Sequence, residues 1–181
     1  MIKSGNQPAG EWEQLGEPLA EAALLGCVLR GSLTQARTLL EQLDDSDWVV
    51  PEHAHVAAAA RVLLEHGQPV DPVTVLGQLR RSGLENAQTA SRATAVLLVE
   101  LCAAAPAISS ADHYARIVRE HAYRRRAQQA ATRLLQAADS GSLDALAALI
   151  RDEYEALVQH HQRISGTQPP QQHPARTPTQ T

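Results

Sequence analysis

Hydrophobic and polar positions in the first two thirds of the chain repeat with the period of an α-helix. In five successive segments between residues 17 and 108, apolar side chains recur three and four positions apart, which places them on one helix face. The fourth segment has the clearest boundaries, with Asp71 as a good N-cap, Pro72 in the first helical position and Gly83 at the end. Gly26 lowers the helix propensity of the first segment, which favours close packing of another helix there. The pattern predicts a helical head over residues 17–108.

The last third of the chain, residues 109–164, predicts two long helices joined by a turn. The first extends from Ser110 to about Ala138, a length of about 43 Å, and the second extends from the turn at residues 139–142 to about Ile164. Their apolar positions follow near-heptad spacing, at Tyr123, Ala127, Ala130, Leu134 and Ala137 in the first helix and at Leu143, Leu146, Ile150, Tyr154, Leu157, His161 and Ile164 in the second. We therefore predict a helical hairpin whose two helices meet along these positions.

Such a hairpin has little hydrophobic core of its own. Another surface must cover its outer face, either the preceding helices or a second copy of the chain. We therefore expect a homodimer or a higher homo-oligomer. The candidate self-association residues are Tyr123, Ala127, Leu134, Leu146, Ile150, Tyr154 and Leu157.

Composition supports an all-α fold. The chain is 44% hydrophobic but only 3% aromatic and has no Phe; Ala and Leu, the best helix formers, dominate. β-sheets favour β-branched and aromatic residues, and few windows are rich in them. The predicted architecture is a globular head of about five to six helices followed by the long C-terminal hairpin, which completes the same domain. Residues 1–16 and 165–181 are rich in Gly, Pro and Gln and are predicted to be disordered.

Charge and residue usage argue against several functions. The formal net charge of −4 lowers the expectation of direct DNA binding, because phosphate contacts favour a basic domain. Lys3 is the only lysine, and neither a phosphate-binding G-x-x-x-x-G-K-[ST] string nor a G-x-G-x-x-G string occurs. We therefore expect no enzymatic activity and no cofactor. Cys27 and Cys102 are expected to be free thiols in a reducing cytoplasm, and no signal peptide or membrane span is predicted.

The histidines and acidic residues do not indicate a metal or catalytic site. His53 and His55 are two positions apart and so diverge on a helix, and the adjacent His160 and His161 diverge as well. Helix capping and a solvated turn explain the acidic residues, which are Asp44, Asp45, Asp47 and Asp71.

Arginines form the one charged pattern that suggests a binding surface. Arg119, Arg126 and Arg133 recur every seven residues, with Arg116 nearby. Three interpretations remain open: a solvated face paired to local acids such as Glu120 and Asp152, a docking strip for a partner, or a contact with nucleic acid.

Four sequence stretches together resemble a known family. In order they are EPLAEAALLGCVL, DWVVPEHAHV, EHGQPVDPVTV and HYARIVREHAYRRR. They resemble the N-terminal domain of DnaB-type bacterial replicative helicases over roughly residues 17–160. The chain departs from that family at Trp48, where Phe is usual, and at ENAQTASRA, which replaces a Gly-Gly turn.

The resemblance implies a six-helix head and a hairpin that pairs between subunits to build a collar on a hexameric ring. It also implies a docking surface for the primase and, in some bacteria, for loaders, whereas the ATPase motor belongs to a separate C-terminal domain. We therefore expect a non-catalytic module for self-association and for docking of primase, helicase or loader, with nucleic acid contacted only indirectly. The alternative is a small helical DNA-binding regulator, for which the helix after Asp71 offers only Arg80 and Arg81.

Overall fold

The structure is a computed structural model that describes residues 10–83, 88–140 and 142–165. These residues form seven α-helices and two short 3₁₀ helices, with no strand among them, which confirms the all-α prediction. The α-helices are α1 (Gly10–Arg30), α2 (Leu33–Glu41), α3 (Pro51–Glu65), α4 (Pro72–Arg81), α5 (Gln88–Ala104), α6 (Ala111–Ser140) and α7 (Leu143–Ser165). The 3₁₀ helices are Asp45–Asp47 and Ile108–Ser110. The chain forms two compact units, Met1–Gln129 and Ala130–Thr181, so the division falls inside α6.

The first helix begins earlier than the sequence pattern predicted. Disorder was expected up to residue 16, but α1 begins at Gly10 and contains Pro18 in its interior. The segment Glu11–Leu15 consists of residues that tolerate helix well, and the Gly and Pro around it concealed this tendency. The other residues predicted to be disordered, 1–9 and 166–181, lie outside the described residues, and Ser165 is the last residue of α7.

Short-range caps define the boundaries of α2 and α4. Ser32 and Gln35 form a capping box, in which the Gln35 amide donates to Ser32 Oγ at 3.3 Å and the Ser32 amide donates to Gln35 Oε1 at 3.0 Å. Asp71 Oδ1 accepts from the Val73 and Thr74 amides at 2.8 and 3.0 Å. Gly83 follows α4 with a φ of 71°, a backbone conformation that favours glycine. The predicted boundaries of α4 are confirmed.

The core of the first unit includes the start of α6 as well as the five preceding helices. Ala111, Ala115 and Val118 of α6 are almost completely buried in the same cluster as the core residues of α1 to α5. Trp48, at 7% exposure, belongs to this cluster too. The sequence pattern ended the head at residue 108 and assigned all of this helix to the hairpin. The first half of α6 instead packs with the head, because its apolar residues at intervals of three and four complete that core.

Gly26 marks the closest approach of two helices in the first unit. A Cβ atom at Gly26 would lie 2.2 Å from the carbonyl oxygen of Leu101 and 2.8 Å from Cβ of Ala105, both in the α5 region. Both distances are shorter than the van der Waals contact of a Cβ atom with its neighbours, so no side chain fits at this position without moving the helices. The close packing that the glycine predicted is therefore present, and α5 is the helix that approaches α1.

A buried glutamate of α1 caps the N-terminus of α3. The N-cap residue Val50 provides no side-chain cap, and Pro51 occupies the first turn. The carboxylate of Glu21, which is 0% exposed, accepts from the Val49 amide at 2.6 Å and the Val50 amide at 3.3 Å. Glu21 Oε2 also lies 2.8 Å from His53 Nδ1. A negative charge is favourable at a helix N-terminus, so this contact links α1 to α3.

Three arginines donate hydrogen bonds to backbone carbonyl groups at helix ends and turns. Arg125 forms an ion pair with Glu17 and donates to the carbonyl oxygens of Ser46 and Asp47 at 3.1 and 3.0 Å. Burial lowers the pKa of Arg125. Arg37 of α2 donates to the Leu64 carbonyl at 2.6 Å, and Arg61 of α3 donates to the Leu43 carbonyl at 2.8 Å. Each of α2 and α3 therefore caps the C-terminal end of the other.

The Gly26 contact predicts a large effect of a small substitution. We expect Gly26→Ala to lower the free energy of unfolding by about 2 kcal/mol, because the added methyl group forces α1 and α5 apart. Gly77→Ala is the matched control, since its Cβ would meet only the far end of Arg81 at 3.8 Å; it should leave stability unchanged or raise it by about 0.5–1 kcal/mol. Urea unfolding followed by circular dichroism measures both, and equal stability of the two variants would contradict the close approach.

The buried cap predicts a second stability effect. We expect Glu21→Ala to lower the free energy of unfolding by about 3 kcal/mol, because the amides of Val49 and Val50 and the ring of His53 all lose their acceptor. The exposed Glu65, at the C-terminal end of α3, provides the control: Glu65→Ala should change stability by less than about 0.5 kcal/mol. Thermal melting of both variants measures the difference, and a wild-type melting temperature for Glu21→Ala would disprove the capping role.

Candidate protein-interaction site

The second unit is a helical hairpin made of the end of α6 and the whole of α7. Its described residues are 130–140 and 142–165. Ser142 starts α7: its hydroxyl accepts from the Ala145 amide at 3.2 Å and its carbonyl accepts from the Leu146 amide at 2.9 Å. The predicted cap at Ser142 is therefore present, whereas Asp139 and Ser140, which were predicted in the turn, belong to α6, and Gly141 lies outside the described residues.

A two-pronged ion pair joins the two helices of the hairpin. Arg133 of α6 donates from Nε and Nη2 to the two carboxylate oxygens of Glu153 in α7, at 2.6 and 2.9 Å. Glu153 is only 8% exposed, and its hydrogen bonds raise the pKa of Arg133. A planar guanidinium bound through two nitrogen atoms tolerates little sliding, so this pair sets the alignment of α7 against α6.

The face of α7 that meets α6 differs from the predicted one except at Leu146. Its buried and half-buried residues recur at heptad intervals and are Leu146, Leu149, Glu153, Ala156 and His160. Glu153 binds Arg133, which identifies this face as the inner one. Ile150 and Tyr154 were expected in the seam with α6, but they are 51% and 68% exposed. The prediction failed because α7 has a second stripe with the same spacing, and spacing alone does not show which stripe faces inward.

Two polar residues of the inner stripe were not among the predicted site residues. Glu153 and His160 are 8% and 2% exposed, and His160 Nδ1 lies 2.8 Å from Arg163 Nη2. Polar residues at heptad positions normally indicate solvent, so the pattern concealed them. The signal that could have found them is their own spacing of seven residues, in register with Leu146.

The outer stripe of α7 leaves a short apolar strip exposed. We call it the outer strip and define it as Leu143, Ala147, Ile150 and Tyr154, which are all exposed and recur at intervals of four, three and four. Leu143 reaches 86% exposure, whereas Leu157 and Ile164, further along the same stripe, are half-buried. The outer strip is about 17 Å long. Its concentration at the beginning of α7 makes it a candidate contact surface for another polypeptide.

The other predicted self-association residues are half-buried. Tyr123 and Ala127 lie in the first unit, and Leu134, Leu146 and Leu157 lie in the hairpin unit. Within the described part of the hairpin unit, the exposed leucines Leu143 of α7 and Leu135 of α6, the latter at 70% exposure, were absent from the predicted set. Leu143 had appeared in the heptad pattern, so a signal for it was present.

Most of the arginines proposed for docking contact neighbouring groups. Arg116 forms an ion pair with Glu120, one turn away, and Arg119 donates from Nε to the Ala115 carbonyl at 3.3 Å. Burial lowers the pKa of Arg119. Arg126 is half-buried and has no hydrogen bond or ion pair to another described residue. Arg116, Arg119 and Arg126 belong to the first unit, whereas Arg133 belongs to the hairpin unit.

The histidines and cysteines that the sequence offered as candidate ligands lie in different surroundings. His53 is 6% exposed and pairs with Glu21, and His55 is exposed. Within the described ranges no group of three or more His, Cys, Asp or Glu could hold a metal ion. Cys27 and Cys102 are free thiols, and burial raises the pKa of both.

No single helix in the described part of the chain is both long and apolar enough to cross a membrane. The segments Arg92–Ala104 and Ile108–Asp139 reach that length and hydropathy only when taken together, and they are bent by 88° at the break between them.

The described residues form an all-helical head and a helical hairpin with an exposed apolar strip. Comparison with known proteins then identifies the family of this chain. Residues 14–120, more than half of the chain, match the family described as DnaB-like helicase N terminal domain. The chain belongs to this family.

Relatives and a solved structure agree with this assignment. The chain is 34% identical over 139 residues to the replicative DNA helicase DnaB of Mycobacterium leprae, a match covering 77% of this chain and 22% of that protein. It is 33% identical over 118 residues to the replicative DNA helicase DnaB of Leifsonia xyli, covering 65% of this chain and 25% of that protein. The crystal structure of the N-terminal domain of DnaB helicase from Mycobacterium tuberculosis matches with a TM-score of 0.68 and 32% identity, over 77% of this chain and 96% of that one. The chain thus spans about a quarter of the length of these helicases.

Proposed function

We propose that this chain is a non-catalytic replicative-helicase N-terminal-domain-like module that self-associates and docks primosome proteins during DNA replication. The observation that carries the proposal is the exposed outer strip on the hairpin of a domain whose family matches the N-terminal part of replicative helicases. The chain matches about a quarter of the length of those helicases, and its sequence has no phosphate-binding G-x-x-x-x-G-K-[ST] string. The proposal therefore includes no unwinding activity.

The outer strip supports self-association because its side chains are large, apolar and regularly spaced. Leu143, Ile150 and Tyr154 each gain on the order of 1–2 kcal/mol when a partner removes them from water. A second copy contributes the same residues, so six apolar side chains together oppose the cost of association. A contact that uses one patch on both copies closes with two-fold symmetry.

Docking of a partner involves the arginines of α6 in this proposal. Arg126 is the strongest candidate, because it forms no hydrogen bond or ion pair with any other described residue. Arg119 lies one heptad earlier on the same helix, and Arg116 and Arg133 already bind Glu120 and Glu153. An acidic surface of primase, of a loader or of a full-length replicative helicase would complement the charge of these arginines.

Self-association predicts that the protein forms dimers or higher oligomers at about 10 to 100 µM. Tyr154→Glu should shift the protein to the monomer, because it places a charge in the middle of an apolar contact. Val73→Glu is the matched control: Val73 is 78% exposed but lies on α4 in the first unit, so this variant should associate like the wild type. Sedimentation velocity measures the state, and a wild-type chain that remains monomeric throughout this range would refute self-association.

Docking predicts that reversing two charges weakens partner binding. Arg119→Glu combined with Arg126→Glu should reduce affinity for the primase of the same organism by about tenfold or more. Arg80→Glu combined with Arg81→Glu changes the same charge on α4 and should have little effect. Biolayer interferometry with immobilised primase measures both, and unchanged affinity of the first variant would reject the docking role. Salt-dependent DNA binding by the wild type, lost in the α4 variant, would instead support the DNA-binding regulator.

A further inference from the structure

A short sequence repeat relates the ends of α2 and α3 to each other. The string ARTLLE at residues 36–41 ends α2, and the string ARVLLE at residues 60–65 ends α3. The repeats are buried alike, since their alanines are 0% exposed and their leucines 4% or less. Arg37 of the first repeat donates to the Leu64 carbonyl of the second at 2.6 Å, and Arg61 of the second donates to the equivalent Leu40 carbonyl at 3.4 Å. The two helix ends therefore contact each other with approximate two-fold symmetry.

An open cavity of about 190 Å³ lies between the two repeats. Its lining consists of the same three residues from each repeat, which are Arg37, Leu40, Glu41, Arg61, Leu64 and Glu65. Two positive and two negative side chains surround the cavity, so its lining is electrically neutral. The cavity is a little larger than the roughly 150 Å³ that hold a benzene ring and smaller than the pockets of drug-sized ligands. A molecule of the size of a single amino acid fits this volume.

The glutamates of the two repeats have carboxylates that are available to a ligand. Glu41 and Glu65 are exposed, and neither forms a hydrogen bond or ion pair with another described residue. Each is the last residue of its helix. A carboxylate at that position is electrostatically unfavourable, because the C-terminal end of a helix carries a partial negative charge. A positively charged group in the cavity would therefore stabilise either glutamate.

The two arginines are not equally available to a ligand. Arg61 forms an ion pair with Asp45 and also donates to two backbone carbonyl groups. Among the described residues, Arg37 donates only to the Leu64 carbonyl, through Nη2, so its other N–H groups can bind a carboxylate. The same bond holds the Arg37 guanidinium close to Glu65, the residue after Leu64. One end of the cavity therefore offers both an available arginine and an available glutamate.

We propose that this cavity binds a free α-amino acid with an apolar side chain. The carboxylate of the ligand binds the guanidinium of Arg37, and its ammonium group binds the carboxylate of Glu65. Its side chain lies against Leu40 and Leu64. A dication is repelled by the two arginines and a dianion by the two glutamates, so a zwitterion matches the lining better than either. The site uses none of the residues proposed for self-association or for docking.

Amide NMR spectra of the isotope-labelled chain, recorded during a titration with L-leucine, test the proposal. The shifts should saturate with a dissociation constant of about 1 mM, because the cavity is small and open, and they should be concentrated in residues 36–41 and 60–68. N-acetyl-leucine lacks the ammonium charge and leucinamide lacks the carboxylate, so each should bind at least about tenfold more weakly. Glycine lacks the apolar side chain and should also bind about tenfold more weakly.

The repeat supplies a matched pair of variants for the same titration. Glu65→Gln should weaken leucine binding by about tenfold, because it removes the charge that binds the ammonium group. Glu41→Gln changes the equivalent position at the other end of the cavity, beside the occupied Arg61, and should alter the affinity by less than about twofold. Thermal melting of both variants verifies that they are folded.

Saturable shifts in the two repeats that are lost with both analogues and with Glu65→Gln support the site. Unchanged spectra up to about 20 mM leucine overturn it, since a site of the expected affinity is then nearly full. Binding of N-acetyl-leucine or leucinamide as tight as that of leucine, or equal effects of the two glutamate variants, overturns the assigned roles of Arg37 and Glu65.

Discussion

A helix in a two-helix hairpin can bury only one of its faces against its neighbour, and α7 has apolar residues on two. The face with Leu146 and Leu149 meets α6, where Glu153 binds Arg133 through both carboxylate oxygens. The outer strip is then left in water. Because α7 packs its other face on α6, the packing also determines which residues remain available to another polypeptide. The proposed assembly therefore depends on a contact inside one copy of the chain.

The head is held together by contacts of a different kind. Glycine at position 26 lets α1 approach the backbone of α5, and Glu21 replaces the missing side-chain cap of α3. Arg125 attaches α6 to Glu17 and to the turn before α3. These contacts are buried or half-buried and join residues far apart in sequence, so they stabilise one arrangement of the helices in the first unit. The all-helical fold agrees with the membership of this chain in the DnaB-like helicase N-terminal domain family.

Features set by neighbouring residues could be predicted from the sequence, and features set by distant residues could not. The cap at Asp71, the end of α4 at Gly83 and the close packing at Gly26 followed from local chemistry and are present. The role of Glu21 was not predictable, because its partners Val49, Val50 and His53 come from another helix and the turn before it. The inward face of α7 was predicted incorrectly, since both of its stripes satisfy the same heptad spacing and only the three-dimensional position of Glu153 distinguishes them. The candidate docking arginines stay predictions, as do the residues proposed for self-association.

Amide hydrogen exchange at low and high protein concentration tests the central claim most directly, namely that a second copy covers the outer strip. Protection of the backbone amides in residues 143–154 should rise with concentration, because association adds to the free energy needed to open that part of α7. Protection in α4, which lies in the other unit, should stay constant. Equal protection of residues 143–154 at one concentration below and one above the range in which the dimer should form would contradict the claim.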